Sequence, residues 1–226
     1  MKYSNSHKGK FIDRPNRFVA NVEINGQLQV CHVKNTGRCK ELLLPGSTVY
    51  LEKSANPNRK TAYDLVAVEK GDLLINIDSQ APNKVVLEWL KAGGLFPENA
   101  LIRPEIKHEN SRLDFYLEHQ NRRAFIEVKG VTLEENGIAA FPDAPTLRGI
   151  RHIQHLMEIA KKGYETYLIF VVQFKPVKYV IPNDITHPEF GETLRQAAWE
   201  GVRILAYDCL VTADTMVLDR EIPVKL

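Results

Sequence analysis

An alternating pattern in the middle of the chain limits the folds that this sequence can adopt. Apolar side chains recur at every second position over residues 111–118 and again over 123–129, and the positions between them are polar except for the rings of Tyr116 and Phe125. The polar residues 119–122 lie between the two runs. A period of two is typical of strands that bury one face, and two such runs joined by a short polar segment indicate a hairpin. We predict antiparallel strands joined by a four-residue loop at 119–122, with Glu118 opposite Arg123.

The same register brings two carboxylates together. It places Asp114 opposite Glu127, with Lys129 two residues farther along the same face. Adjacent carboxylates repel each other unless a cation lies between them, and Mg²⁺ or Mn²⁺ prefers such hard oxygen ligands. An ammonium beside them could orient an attacking water, so the pattern predicts metal-dependent phosphodiester hydrolysis. A solvated hairpin face on which Lys129 screens the two acids is the alternative.

Further candidate residues lie on two predicted helices. The helix predicted over 146–162 carries Arg148, His152 and His155 on one stripe. Arg148 could hold a phosphate there, and His152 could join the carboxylates and the lysine as a catalytic group. Glu88, on an earlier helix, is a candidate third metal ligand. The alternative for all four residues is that they lie on solvent-exposed helix faces and have no catalytic or binding role.

The first eighty residues contain short apolar segments separated by turn residues. Asn25-Gly26 is typical of a two-residue hairpin turn, and Pro45-Gly46 and Gly71-Asp72 mark further turns. No helical period appears between them, so we predict a small antiparallel β-barrel of the OB-like type. The five predicted strands are 18–24, 28–33, 47–52, 61–69 and 73–77.

The remainder of the chain mixes predicted strands and helices. A helix over 83–92, capped by Asn83 and ended by two glycines, follows the barrel. A hairpin followed by alternating strands and helices is typical of a mixed sheet flanked by helices, so the fold class is α/β or α+β. We predict two domains, 1–80 and 81–226. The other predicted elements are strands at 101–107, 112–118, 123–131, 166–174, 178–181 and 202–207 and helices at 146–162 and 189–200.

Charge is distributed unevenly between the two predicted domains. Residues 1–80 carry 12 Lys and Arg against 8 Asp and Glu, whereas residues 81–226 carry 18 against 20. A mildly basic barrel favours a nucleic-acid backbone as its partner. No helix-turn-helix, zinc-finger or basic-zipper pattern is visible, so binding should be largely non-specific and sensitive to salt. The candidate phosphate contacts are Arg14, Arg17, Lys34, Arg38, Lys40, Arg59, Lys60 and Arg148.

The chain carries no sequence signal for a membrane or for secretion. Its longest strongly apolar run, 168–172, is far shorter than the roughly 20 residues that a membrane span needs. The polar N-terminus lacks the apolar stretch of a secretory signal, and three scattered cysteines are typical of buried thiols in a reducing compartment. We expect a cytoplasmic protein that does not contact membranes.

Several sequence blocks occur in a characteristic order along both predicted domains. They are Arg14 and Arg17-Phe18, Asn35-Thr36-Gly37, Pro45-Gly46, the segment 54–63, Ser111-Arg112-x-Asp114-Phe115, Glu127-Val128-Lys129, Phe141-Pro142-Asp143-Ala144 and Leu205-Ala206-Tyr207. In this order, and over nearly the whole length, the chain resembles the sugar fermentation stimulation protein family of bacteria and archaea. The resemblance implies an OB-like domain, a domain of the PD-(D/E)xK nuclease superfamily, and a DNA-binding protein with a regulatory role in sugar metabolism.

The resemblance also implies roles for individual residues. In that superfamily the paired acids bind a metal ion and the lysine assists the attack, which would here be Asp114, Glu127 and Lys129. A helical glutamate that often joins them would be Glu88.

Three functions are compatible with the sequence. The first is a Mg²⁺- or Mn²⁺-dependent nuclease that binds DNA through the barrel and cleaves it at the carboxylate pair. The second is a regulator that keeps the nuclease fold and binds DNA, largely non-specifically, without cleaving it. The third is an RNA-processing enzyme that uses the same site. A homodimer would suit cleavage of both strands of a duplex.

Overall fold

The structure is a computed structural model that describes residues 1–35, 37, 39–109 and 111–226. Within these residues the chain forms two six-stranded sheets, a three-stranded sheet and three helices. None of these helices is long and apolar enough to span a lipid bilayer.

The N-terminal sheet closes into a barrel. Its strands are β1 (Ser6–Asn16), β2 (Val19–Ile24), β3 (Gln27–Val33), β4 (Thr48–Lys53), β5 (Tyr63–Lys70) and β6 (Leu73–Asn76). β1 pairs antiparallel with β2 and β4, β4 pairs antiparallel with β5, and a parallel pairing of β3 with β5 closes a five-stranded ring. The predicted OB-like barrel is confirmed, although one of its pairings is parallel. The Asn25-Gly26 turn joins β2 to β3 with both residues at positive φ, as its sequence predicts.

β1 is absent from the strands that the sequence predicts. Only Gly9 and Phe11 are buried along it, and its pairing with β2 shifts register on both sides of Asp13. β2 approaches so closely that a β-carbon at Gly9 would lie 2.6 Å from Val22 Cγ1. A strand with bulges and a glycine in place of alternating apolar side chains carries no signal of period two.

A mixed sheet forms the second domain. It is preceded by α1 (Ala81–Lys91), and its strands are β7 (Leu101–His108), β8 (Ser111–His119), β9 (Arg122–Val131), β12 (Glu165–Val172), β14 (Arg203–Val211) and β15 (Met216–Glu221). The spatial order is β15-β14-β12-β9-β8-β7, with β9, β12 and β14 parallel and the others antiparallel to their neighbours. A small sheet contains β10 (Leu133–Glu135), β11 (Ile138–Phe141) and β13 (Tyr179–Pro182), and the remaining helices are α2 (Leu147–Lys161) and α3 (Pro188–Trp199).

Helices cover both faces of the mixed sheet. α1 buries Val85, Val86 and Leu90 in one apolar cluster with strand residues such as Phe115 and Ile126. α2 and α3 bury a second set on the opposite face, which includes Ile153, Leu156, Phe190, Leu194 and Phe170. The predicted mixed sheet flanked by helices is therefore confirmed. In this second domain the sequence patterns miss three strands, namely the short β10 and β11 and the C-terminal β15.

The turn between β8 and β9 is tighter than predicted. Glu118 lies opposite Arg123 as expected, but pairing continues to His119 and Arg122, so the loop contains only residues 120–121. Gln120 adopts a φ of 52°, the left-handed conformation that two-residue hairpin turns require. The predicted four-residue loop is thus wrong, while the register is right.

The barrel and the mixed sheet share one buried core. Barrel residues Phe11 and Leu65 belong to the same apolar cluster as Phe170 and Phe190 of the second domain. Polar contacts reinforce this junction, since Gln173 Nε2 donates to the backbone oxygens of Asn76 and Asp78 at the end of the barrel. The two halves of the chain are therefore joined by packed side chains as well as by the backbone.

A set of ion pairs crosses three neighbouring strands, β9, β12 and β14. Glu165 accepts hydrogen bonds from Arg122 at 2.7 Å and from Arg203 at 3.3 Å. The bonds from Arg122 are the main cause that lowers the pKa of Glu165 from 4.5 to about 2. Because the folded-state pKa is depressed, the stabilisation is fully present above about pH 4.5 and is lost as pH falls toward 2.

We expect Glu165→Gln to lower the free energy of unfolding near neutral pH, and expect this difference from wild type to shrink steadily as the solution is acidified. Urea unfolding of both proteins across the acidic range measures it. Glu135→Gln, which alters an exposed carboxylate, is the matched control and should show no such trend. A difference at Glu165 that does not change with pH would contradict this interpretation.

Candidate functional site

The β8–β9 hairpin carries two carboxylates side by side. Its paired positions end at Phe115 and Ile126, so Asp114 and Glu127 occupy the next position. There Asp114 Oδ2 accepts a 2.7 Å hydrogen bond from the backbone N–H of Val128. The side chain of Asp114 is therefore bonded directly to the strand that carries its partner.

Asp114 is held from a second side by α1. Asn83 Nδ2 donates to Asp114 Oδ1 at 2.7 Å, so each carboxylate oxygen has one protein donor. Burial nevertheless raises the pKa of Asp114, and the neighbouring Glu127 raises it further. A cation beside both groups would oppose both effects, because it would favour the ionised carboxylates.

Glu127 is the most buried group of the site, with 2% of its surface exposed. Its Oε1 accepts a 2.6 Å bond from Lys129 Nζ and a short bond from His152 Nδ1. Burial acts to raise the pKa of Glu127, but the hydrogen bond from His152 and the charge of Lys129 outweigh it, so the pKa is lowered. Glu127 is therefore a buried, ionised carboxylate.

The second oxygen of Glu127 distinguishes this site from an ordinary ion pair. Oε2 is buried and has no hydrogen-bond partner among the described residues. A buried charged oxygen without a partner is costly, so such atoms usually face a donor or a cation. An unpartnered carboxylate oxygen beside a second carboxylate fits a hard divalent cation such as Mg²⁺, Mn²⁺ or Ca²⁺.

His152 is fixed between Glu127 and Arg148. Arg148 Nε donates to His152 Nε2 at 3.3 Å, and a guanidinium can only donate. Nε2 therefore accepts, and the ring proton lies on Nδ1, where it bonds Glu127. Thr146 caps the start of α2 by accepting a bond from Gly149 N–H, which positions the first turn that carries Arg148.

A cleft between the barrel and the mixed sheet opens next to Lys129. A β-carbon at the following residue, Gly130, would lie 2.7 Å from Pro82 Cγ and 2.5 Å from Gln173 Oε1, so only glycine permits this close approach of α1. The cleft is lined by polar side chains from both halves of the chain, which include Asn35, Ser79, Thr132, Asp143 and Gln173, and by apolar residues of the mixed-sheet half. The cleft therefore lies beside the strand that carries Glu127 and Lys129.

The structure does not bring Glu88 to the carboxylate pair. Its side chain is 58% exposed, and Oε2 pairs with the α-amino group of Met1 at 2.6 Å. α1 instead contributes Asn83, which does not cap the helix as predicted, because the N-cap is Gln80 and Asn83 lies within the first turn. Nothing in the spacing of α1 distinguishes these two residues, since the choice depends on how the helix packs.

Three of the cations predicted to contact phosphate bind acceptors within the protein instead. Lys34 lies 3.1 Å and Arg59 lies 2.6 Å from the buried carboxylate of Asp64. Arg14 donates to the backbone oxygens of Asn35 and Gly37. These three cations order the barrel and its loop, and their charge is largely used within the chain.

The other predicted cations face solvent. Arg17 lies over the ring of Phe18 at 5.0 Å, and it, Lys40, Lys60 and Arg148 are exposed. Arg38 lies outside the described residues. The exposed basic side chains that remain for a nucleic acid are thus fewer than the sequence predicts.

A second group of metal-ligand side chains lies one helical turn farther along α2. Ligand atoms of His108, Glu109 and His155 all lie within 4.8 Å of one another. Of the three, only His155 lies on a stripe that the sequence marks as functional. The other two carry no signal in the sequence, because the group forms between the end of β7 and a helix far along the chain.

The chain is similar to known proteins over its whole length. Two family models match it: the SfsA N-terminal OB domain over residues 12–77 and the sugar fermentation stimulation protein RE domain over residues 80–215. A sugar fermentation stimulation protein homolog from Ruminiclostridium cellulolyticum is 55% identical over 226 residues, which is 100% of both chains. Another from Clostridium beijerinckii is 57% identical over 216 residues, or 96% of each. A solved structure of Pyrococcus furiosus SfsA in complex with Ca²⁺ has a TM-score of 0.88 and 28% identity, covering 100% of this chain and 98% of that one.

Proposed function

Because the chain belongs to the sugar fermentation stimulation protein family, with an OB domain followed by a restriction endonuclease-like domain, we propose that it is a divalent-metal-dependent nuclease that binds and cleaves DNA. One observation carries this proposal. Glu127 Oε2 is buried and unpartnered among the described residues, beside Asp114 and next to Lys129. A regulator without chemistry to perform has no need for this costly arrangement.

Asp114 and Glu127 would hold the metal ion. They offer oxygen ligands, which suit Mg²⁺ or Mn²⁺, and the Pyrococcus furiosus relative was solved with Ca²⁺, another cation that prefers oxygen. When bound, such an ion supplies a Lewis acid for a phosphate oxygen and lowers the pKa of a coordinated water. Asn83 and the Val128 N–H hold Asp114 in place for this role.

The remaining side chains of the site would act on the phosphate and the water. Lys129 Nζ, fixed by Glu127, is placed to orient a water or to stabilise negative charge that develops on the phosphate. His152 is held in one tautomer and orientation by Glu127. Arg148 is exposed at the start of α2, where its guanidinium and the helix N-terminus both favour an anion.

The barrel would supply affinity for the nucleic-acid backbone. Arg17, Lys40 and Lys60 are exposed on it, and a cleft lined by residues of both domains, Asn35 and Ser79 as well as Gly130, lies at the junction. Contacts of this kind attract phosphate without reading bases, so binding should weaken steeply as salt rises.

A regulator that binds DNA without cleaving it is the second candidate. Each Asp114 oxygen and Glu127 Oε1 already accept hydrogen bonds within the protein, so a single oxygen of the pair, Glu127 Oε2, has no partner in the described part of the chain. The relatives are named for the stimulation of sugar fermentation, which favours a regulatory role in sugar metabolism.

The experiment that separates the two candidates incubates the purified protein with single-stranded, duplex and branched DNA and with RNA in Mg²⁺ or Mn²⁺. We expect cleavage of DNA, a loss of about 10²- to 10³-fold in rate for Lys129→Ala, and a comparable loss for Asp114→Asn. Both variants should still bind DNA. Binding of every DNA substrate with no cleavage by the wild type would support the regulator, and cleavage of RNA alone would support an RNA-processing enzyme.

A further inference from the structure

The group formed by His108, Glu109 and His155 has the chemistry of a second metal site, different from the carboxylate pair. Imidazole nitrogens with one carboxylate are the ligands of borderline transition metals, whereas Mg²⁺ and Ca²⁺ prefer oxygen alone. Glu109 is exposed in the turn between β7 and β8, and His155 is 7% exposed on α2. The three ligand atoms therefore converge at an edge that solvent can reach.

The spacing of the two histidines matches the spacing of ligands on one ion. His108 Nδ1 lies 3.2 Å from His155 Nε2. Two nitrogens bound to a tetrahedral zinc at about 2.0–2.1 Å lie about 3.3–3.4 Å apart. The alternative is a hydrogen bond between the two rings, which this distance also permits.

A carboxylate lies behind His155, as one commonly does behind a histidine that binds a metal ion. Glu158 Oε2 lies 3.4 Å from His155 Nδ1, one turn along the same helix. Histidines that bind metals commonly donate their other ring N–H to a carboxylate, which leaves the remaining nitrogen with its lone pair toward the ion. That remaining nitrogen is Nε2, the atom that faces His108.

We propose that His108, Glu109 and His155 bind a zinc-class divalent ion that fastens the β7–β8 turn to α2. The fourth coordination position is left to water, because three protein ligands are present. Glu109 also pairs with Lys162 at the end of α2, so the turn and the helix are already adjacent without an ion. This site is independent of the proposed nuclease activity, although it lies on the helix that carries His152.

The test uses the full chain, treated with a chelator and then titrated with Zn²⁺ by calorimetry, with Co²⁺ absorption as a second probe of nitrogen ligation. We expect wild-type protein to bind Zn²⁺ and to melt at a higher temperature with it. Glu158→Ala should weaken Zn²⁺ affinity by about 10- to 100-fold. His108→Ala should weaken it further, and the exposed Glu109→Gln, which carries little risk to folding, should also weaken it.

Two variants serve as controls. His119→Ala removes a histidine from the neighbouring hairpin and should leave Zn²⁺ affinity unchanged, whereas Asp114→Asn reports any Zn²⁺ that binds at the carboxylate pair instead. Wild-type affinity in His108→Ala, or a loss confined to Asp114→Asn, would overturn the proposal, because the ion would then lie elsewhere. Absence of Zn²⁺ binding to the wild type would overturn it directly. None of these readouts depends on DNA cleavage.

Discussion

Glu127→Gln is expected to reduce the rate of DNA cleavage by about 10³-fold or more, the largest effect on activity that we predict. The substitution keeps the size of the side chain and an oxygen acceptor for Lys129 and His152, but it removes the charge of the buried carboxylate. The metal ion would lose its most buried ligand, while the DNA-binding surface would stay the same. Single-turnover cleavage with saturating protein measures the rate without a contribution from DNA affinity.

A matched pair of controls makes this result specific. Glu135→Gln neutralises an exposed glutamate a few residues away and should cleave at the wild-type rate. The double variant Glu127→Gln with Lys129→Ala should lose little more than Glu127→Gln alone, because the two side chains are bonded and act as a unit. Fully additive losses, or cleavage by Glu127→Gln at the wild-type rate, would contradict the assignment of Glu127.

Asp64→Asn is expected to lower the free energy of unfolding by about 3 kcal/mol, the largest effect on stability. Asp64 is 3% exposed in the barrel and binds Arg59, Lys34 and His32. Burial acts to raise the pKa of Asp64, but the bonds from Arg59, His32 and Lys34 together lower it, so the group is ionised near neutral pH. The variant leaves Arg59 and Lys34 beside an uncharged amide. Lys34 is largely buried and keeps only the more distant carboxylates of Glu52 at 3.7 Å and Asp78 at 3.8 Å.

Urea unfolding at neutral pH measures the effect of this substitution. Asp72→Asn, in the exposed turn before β6, is the control and should change stability by no more than about 0.5 kcal/mol. Equal stability of the two variants would show that Asp64 contributes no more than a surface charge. Because the barrel and the mixed sheet share a core, we expect the two domains of Asp64→Asn to unfold together in a single transition.

The features that local patterns encode could be predicted from the sequence. The β8–β9 register follows from the apolar residues that recur at every second position on both strands, and α2 follows from the helical period of its apolar residues. Both signals are local, because a residue's secondary structure and the face it occupies depend on the polarity of residues a few positions away along the chain. β1 lacks such a pattern, since its bulges remove the alternation.

The contacts that tertiary packing decides could not be predicted. Asn83 and Glu88 lie on the same short helix, and only the packing of α1 selects Asn83 for the site. Lys34 and Arg59 look like free cations in the sequence, but both contact Asp64. The parallel pairing of β3 with β5 brings Lys34 to it, and the loop before β5 folds Arg59 back onto it. A count of charges therefore overstates the basic surface of the barrel.

The shared core between the barrel and the mixed sheet has a consequence for how a long polymer is handled. Where two modules are joined by a flexible linker, the second binding step depends on an effective concentration set by linker length. Here the junction is packed, so no such freedom exists, and the separation between the exposed basic residues of the barrel and Lys129 is a constant of the molecule. A nucleic-acid strand bound by the barrel would therefore reach the carboxylate pair at a fixed number of nucleotides from the point where the barrel holds it.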